Sequence, residues 1–152
     1  MRLVLQRVST ADVEVEGTCC GSCSMGYMIL VGIAPTDTRE IVEKMWEKTK
    51  HLRVFEDEQQ KMNKSLLDVG GSILAISQFT LYANCRHGRR PSFTEAARPD
   101  SARELYDYFC TCIRRDGVKL GCGVFGADMT IHLTCIGPVS YTHLTLPTKR
   151  IV

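Results

Sequence analysis

Gly70-Gly71-Ser72-Ile73-Leu74-Ala75-Ile76-Ser77-Gln78-Phe79-Thr80-Leu81 decides how the rest of the chain is read. Two glycines lead into a run of β-branched and aromatic residues, the pattern of a buried central strand. Ile73 to Ile76 need nothing beyond core packing. Ser77, Gln78 and Thr80 need more, because hydroxyl and amide groups in a buried strand cost free energy unless they find partners. A strand that ends in polar groups and runs into the basic loop Asn84-Cys85-Arg86-His87-Gly88-Arg89-Arg90 is a place to hold a substrate.

Towards the N-terminus, residues 2–8 alternate as a strand with a mixed face, and Asp12-Val13-Glu14-Val15-Glu16 alternates up to a turn at Gly17. Gly26-Tyr27-Met28-Ile29-Leu30-Val31-Gly32-Ile33 is continuously apolar and predicts a fully buried strand. Short turns between the three predict an antiparallel meander. Asp37 with Glu40 three residues on predicts the cap of a helix over about 38–52, with Ile41, Met45, Trp46 and Thr49 inward. Lys44, Lys48 and Lys50 are its solvated face. Residues 52–55 form a short strand. Pro99-Asp100 opens a second helix with the stripe Leu105, Tyr106, Phe109, Cys112 and Ile113, ending at Gly117. Strands at 118–120 and 124–134, broken by Gly121-Cys122-Gly123, complete an α+β domain.

With 152 residues, 44% hydrophobic and 24% charged, the chain is one ordinary domain large enough to bury its own core. Its net charge of +2 means that any nucleic-acid surface comes from local clustering, and the arginine loop is the candidate. No apolar run reaches the roughly 18 residues of a membrane span. Gln6 and Arg7 come too early for a secretory segment, so a cytoplasmic protein without membrane contact is expected. The eight cysteines include Cys19-Cys20-Gly21-Ser22-Cys23 and Cys110-Thr111-Cys112, but neither offers two pairs at zinc-ribbon spacing and no histidine lies at finger spacing. They read as core or incidental thiols, with no metal site.

A hydrolytic triad is not legible. Ser77 and Thr80 are candidate nucleophiles, but on one continuous strand they fall on opposite faces. His132, between Ile131 and Leu133, points away from them and reads as structural. There is no Gly-x-Ser-x-Gly elbow and no phosphate-binding loop.

Ser77-Gln78-Phe79-Thr80-Leu81 followed by Arg90-Pro91-Ser92-Phe93 resembles the D-aminoacyl-tRNA deacylase (D-tyrosyl-tRNA deacylase) family. Gln6-Arg7-Val8, Lys61-Met62-Asn63, Ala127-Asp128-Met129 and Gly137-Pro138-Val139 are further matches, in order over residues 1–140. The resemblance implies antiparallel or mixed, barrel-like layered sheets covered by two helices, and a homodimer with active sites at its interface. It implies hydrolysis of the ester joining a D-amino acid, or glycine, to the aminoacylated 3′ end of tRNA, as chiral proofreading. No metal or organic cofactor is implied; the substrate's ribose 2′-hydroxyl helps activate water.

By the same resemblance Ser77, Gln78, Phe79 and Thr80 form the catalytic segment, holding the adenosine and the developing oxyanion. Thr80 as a nucleophile is the lesser reading. Gly137-Pro138 of the partner subunit, in the cis form, is the chiral wall, and Arg7 locks its orientation. Phe125 and Met129 line the pocket, and Arg86, Arg89 and Arg90 meet tRNA. The sequence departs from the family pattern at Cys135 and Ile136, and over residues 141–152, read as an atypical, artefactual tail outside the domain of residues 1–140. Two rival readings stand beside this one. One is a deacylase of altered selectivity that clears misacylated L-aminoacyl-tRNA; the other is a non-catalytic RNA-binding relative.

Overall fold

The structure, a computed structural model, describes residues 1–144, with the backbone alone for 138–144. Residues 145–152, and with them most of the atypical tail, lie outside the described residues.

Among the described residues, eight strands and two α-helices follow one another as β1 Arg2–Val15, β2 Thr18–Cys23, β3 Gly26–Gly32, α1 Arg39–His51, β4 Phe55–Glu56, β5 Met62–Lys64, β6 Ser72–Ser77, α2 Pro99–Arg115, β7 Leu120–Cys122 and β8 Thr130–Leu144. The main sheet has the order β2-β1-β3-β6-β7, with β8 added on β1. Pairings to β1 are antiparallel, whereas β3–β6 and β6–β7 are parallel. The sheet is therefore mixed and nearly closed. Its edges β2 and β7 meet at glycines: a Cβ on Gly21 would stand 2.5 Å from the Cys122 carbonyl oxygen, and one on Gly121 2.4 Å from that of Ser22.

The expected meander is corrected. β3 pairs with β1 rather than with β2, so the first three strands stand in the order β2-β1-β3. The two N-terminal strands read from the sequence are one strand of 14 residues, whose alternation is blurred at Ser9 and Thr10. Its length lets residues 2–8 pair β3 while residues 11–15 pair β2. β2, Thr-Cys-Cys-Gly-Ser-Cys, carries no apolar alternation and was not predicted.

Helix α1 spans nearly the expected residues, but its cap is Thr38, whose hydroxyl accepts from the Ile41 amide at 3.4 Å. Asp37 instead accepts from the Ala34 amide at 2.7 Å and the N-terminal ammonium at 2.5 Å, tying the chain start to the α1 entry. Both helices cover one face of the sheet. Trp46 and Phe109 meet edge-on at 6.2 Å over Leu3, Leu5, Ile29 and Ile73. Full burial of a Phe-sized side chain contributes roughly 1.5–3 kcal/mol, so this layer fixes α2 firmly against β6. A second cluster, Val8, Val13, Met28, Leu74 and Ile76, fills the opposite face.

Candidate active site

The polar end of the central strand is built by an abrupt change of backbone. β6 stops at Ser77; the Gln78 amide donates to the Val31 carbonyl at 2.8 Å, and residues 79–82 then wind into a 3-10 turn. The turn lies over Gly32, where a Cβ would come within 2.9 Å of the Leu81 Cβ. This corrects the strand expected through Leu81, and with it the placing of Ser77 and Thr80 on opposite strand faces. The Leu81 amide donates to the Gln78 carbonyl at 3.3 Å. The first amides of a helical turn, here those of Phe79 and Thr80, have no carbonyl within the turn to meet. The Gln78 side-chain amide donates to the Thr80 hydroxyl, which faces solvent.

A cavity of about 610 Å³ opens between this turn, the start of α2 and the segment leading into β8. Ser77, Gln78 and Phe79 form one lip, Ala102 and Tyr106 the floor, and Phe125 and Met129 the far wall. Phe125 packs on the Tyr106 ring at 6.0 Å, and the Tyr106 hydroxyl donates to the Ala75 carbonyl at 2.8 Å. Burial pushes the Tyr106 phenol far above its ordinary value, so it stays a protonated donor. Among the described lining residues there is no histidine, lysine or cysteine. The chamber is thus mostly apolar with a hydrogen-bonding lip, fitted to a small amphipathic group, and the one charged side chain among its described lining residues is the exposed carboxylate of Asp128.

The loop of residues 84–93 rises beside the mouth. Asn84 and Ser92 exchange backbone bonds of 2.7 and 2.9 Å, the Asn84 side chain accepts from the Arg86 amide at 3.0 Å, and Gly88 takes φ 69° at the tip. Arg86, Arg89 and Arg90 are exposed on it. Phe93 at its base meets Phe79 edge-on at 5.2 Å, which joins the loop to the cavity lip.

Arg7 sits elsewhere. It is only 4% exposed; its guanidinium donates to the Val54 carbonyl at 2.7 Å and the Ile136 carbonyl at 3.3 Å, and lies 3.6 Å from Glu56. The β1–β8 ladder explains why. Val8 pairs with Cys135 and Gln6 with Ser140, so residues 136–139 stand opposite Arg7 alone. Gly137, at φ 111°, belongs to this excursion, while the Pro138 side chain lies outside the described residues; no peptide bond among the described residues is cis, which corrects the cis Gly137-Pro138 expected from the resemblance. Ile136 gives Arg7 its carbonyl rather than its side chain, so the apolar residue there leaves that bond intact. Cys135 is exposed opposite Val8. Among the described residues neither Arg7 nor Gly137 lines the cavity of its own chain.

His132 also lies outside the cavity, 3.0 Å from Asp12 across the β1–β8 ladder and exposed. The hydrogen bond to Asp12 and its negative charge raise the histidine's pKa. With Glu14 these two side chains place three metal-ligating atoms within 4.8 Å of one another, and their mutual ion pair accounts for the arrangement.

The structure therefore brings together Ser77, Gln78, Phe79, Phe125 and Met129, with Thr80 one residue behind the lip. It sets Arg7 with Gly137 in a second place and the arginines in a third. Sequence reading missed Tyr106 and the small residues Ala96, Ala97 and Ala102 that leave the chamber open. Their only signal is a run of alanines just before and inside an otherwise bulky helix.

The sequence profile described as D-Tyr-tRNA(Tyr) deacylase matches residues 4–144. A D-aminoacyl-tRNA deacylase of Deinococcus deserti is 54% identical over 142 residues, covering 93% of this chain and 97% of the relative. One from Bacillus pumilus is 52% identical, covering 92% and 95%. Among solved structures, the c-Myc DNA Unwinding Element Binding Protein superposes with a TM-score of 0.89 at 37% identity, over 97% of this chain and all of the other. A probable eukaryotic D-amino acid tRNA deacylase gives 0.81 at 19% identity over 92% and 96%, a likeness of fold.

Proposed function

The chain belongs to the D-Tyr-tRNA(Tyr) deacylase family, and on that premise we propose that it hydrolyses D-aminoacyl-tRNA to free D-amino acid and tRNA. The observation that carries the reading at this chain's own residues is the cavity lip. Ser77 and Gln78 end a strand there, and the 3-10 turn that follows presents main-chain amides beside an apolar chamber.

Water adds to the ester carbonyl, the oxyanion forms, and the ribose oxygen leaves with a proton. Amides of Phe79 and Thr80, fixed by the turn, hold the oxyanion; such preorganised donors are worth about 2.7–4 kcal/mol each where they have been removed from other enzymes. Among the described lining residues there is no histidine or lysine and the only carboxylate is Asp128, exposed at the entry to β8, which suits activation of water by the substrate's own 2′-hydroxyl. Thr80, held by Gln78 and facing solvent, serves the lip rather than acting as nucleophile.

Chiral selection falls to Gly137-Pro138 of a second copy. Arg7 ties that excursion to its own chain from inside the protein, and among the described residues Gly137 does not line the cavity of its own chain. A homodimer would carry it into the neighbour's chamber as a wall against the L-side chain. Glycine has no side chain to reject, so glycyl-tRNA is a second substrate. Arg86, Arg89 and Arg90 contact tRNA phosphates near the acceptor end, and the protein works in the cytoplasm.

Filling the chamber tests this. Ala102→Phe places a ring where the α2 wall is open. D-tyrosyl-tRNA hydrolysis should fall at least about tenfold, with the circular dichroism spectrum unchanged. A filled chamber with full activity would move the chemistry elsewhere.

A further inference from the structure

Behind the cavity floor, Cys110 of α2 and Cys122 of β7 bring their sulfurs to 3.6 Å. Cys110 is buried one helical turn after Tyr106, while Cys122 is half-buried and receives a hydrogen bond from the Arg114 guanidinium at 3.5 Å. The other six cysteines show no comparable approach among the described residues. We propose that Cys110 and Cys122 are a reversible redox site that closes to an intramolecular disulfide and thereby reshapes the wall of the cavity.

The chemistry suits the two environments. The hydrogen bond with Cys110 and the neighbouring Arg114 draw Cys122 below its ordinary thiol value, whereas that same bond and burial hold Cys110 protonated. A peroxide is the oxidant. The Cys122 thiolate attacks one peroxide oxygen, forming a sulfenic acid and releasing hydroxide. The Cys110 sulfur then attacks the Cys122 sulfur, forming the disulfide and expelling the second oxygen. Both thiol protons leave in two molecules of water, and a dithiol returns the pair to the reduced state.

The consequence for the cavity runs through Ala75. Its carbonyl accepts both the Tyr106 hydroxyl at 2.8 Å and the Gly123 amide at 3.2 Å, so α2 and β7 are latched to β6 at one point. Closing 3.6 Å to the roughly 2.05 Å of a disulfide draws the helix and strand together beside that latch. Met129 has little room to yield: its sulfur would lie 2.5 Å from a Cβ on Gly123, and it lines the cavity with Tyr106. The effect on turnover rests on the deacylase reading; formation of the disulfide does not.

Fully reduced protein is treated with stoichiometric hydrogen peroxide, alkylated with iodoacetamide and mapped by mass spectrometry, with D-tyrosyl-tRNA turnover read before, after, and after dithiothreitol. The expected result is a linked Cys110–Cys122 peptide, formed ahead of oxidation at Cys19, Cys20, Cys85 or Cys135. Turnover should fall about tenfold, as displacement of positioning groups does, and recover on reduction. Cys122→Ala should abolish both changes. Oxidation at other cysteines with Cys110 and Cys122 still alkylated overturns the site, and a bridge that leaves turnover unchanged overturns its coupling to the cavity. Absence of turnover in the reduced protein counts against the deacylase reading alone, since the map still decides whether the bridge forms.

Discussion

Replacing Arg7 by Met keeps most of the buried stem and removes the guanidinium, and its effects can be worked bond by bond. The Val54 carbonyl, 2.7 Å from Nη1 in the interior, loses its partner, which costs about 1–3 kcal/mol for a buried acceptor left unmade. The Ile136 carbonyl, bonded at 3.3 Å nearer the surface, adds roughly 0.5–1.5 kcal/mol. Glu56 is half exposed and 3.6 Å away, so that ion pair adds about 0–1 kcal/mol after solvent screening. The sum is about 3 kcal/mol, a fall of roughly 6–12 °C in melting temperature for a chain of this size. Thermal unfolding followed by circular dichroism reads it. Arg7→Lys, which keeps a charge able to reach one carbonyl but not both, should lose less. The same substitution of Arg7 by Met frees residues 136–139, so discrimination between D- and L-tyrosyl-tRNA should collapse more than D-turnover itself. An unchanged melting temperature with unchanged selectivity would refute the reasoning, because Arg7 would then hold nothing.

Three further outcomes can be measured, two at the site and one on the β1–β8 ladder. Thr80→Val removes the hydroxyl that Gln78 holds and leaves the turn intact; single-turnover hydrolysis should fall less than about tenfold, whereas losing a covalent nucleophile would cost orders of magnitude more. Changing Arg86, Arg89 and Arg90 together to Ala should raise KM for aminoacyl-tRNA with little change in kcat. It should also flatten the log–log salt dependence by about 0.7–0.9 for each phosphate no longer neutralised, read from KM over a salt series. His132 should titrate above the ordinary histidine value of about 6.5 by proton NMR, and Asp12→Asn should bring it back down. The sign is set by that raised pKa: the protonated ring favours the folded state, so the Asp12 contact supports the fold below the ordinary histidine range. That support is lost as pH rises through the raised value.

Most of the architecture was legible because periodicity reports burial. The stripe of α2 carries the buried residues expected, with Cys110 added, whereas in α1 Met45, Trp46 and Thr49 are buried as expected, Val42 joins them and Ile41 is only half-buried. The failures have physical reasons. Phe79-Thr80-Leu81 continues an apolar run, but its residues serve different ends: Phe79 is 58% exposed at a cavity lip and Leu81 packs on Gly32, so hydropathy could not show where β6 stops. Asp37 followed by Glu40 has the pattern of a cap, yet the carboxylate is taken by Met1 and Ala34, a contact across 36 residues that local reading does not see. Gly121-Cys122-Gly123 looked like a break because glycine weakens strands, whereas β7 covers Leu120–Cys122 and uses Gly121 to approach β2. Of the site, residues of the Ser77–Phe79 lip were visible as polar groups out of place in a strand. Tyr106 and the alanines were not, since a tyrosine in a helical stripe and small residues beside it are ordinary core until a cavity is seen.

The central claim is tested most directly by following the hydrolysis of D-tyrosyl-, L-tyrosyl- and glycyl-tRNA side by side with the purified protein, with and without a chelator. Rapid loss of the D- and glycyl-esters with the L-ester spared, unaffected by chelator, is the predicted result. Loss of the L-ester at a similar rate, or survival of all three, would contradict it.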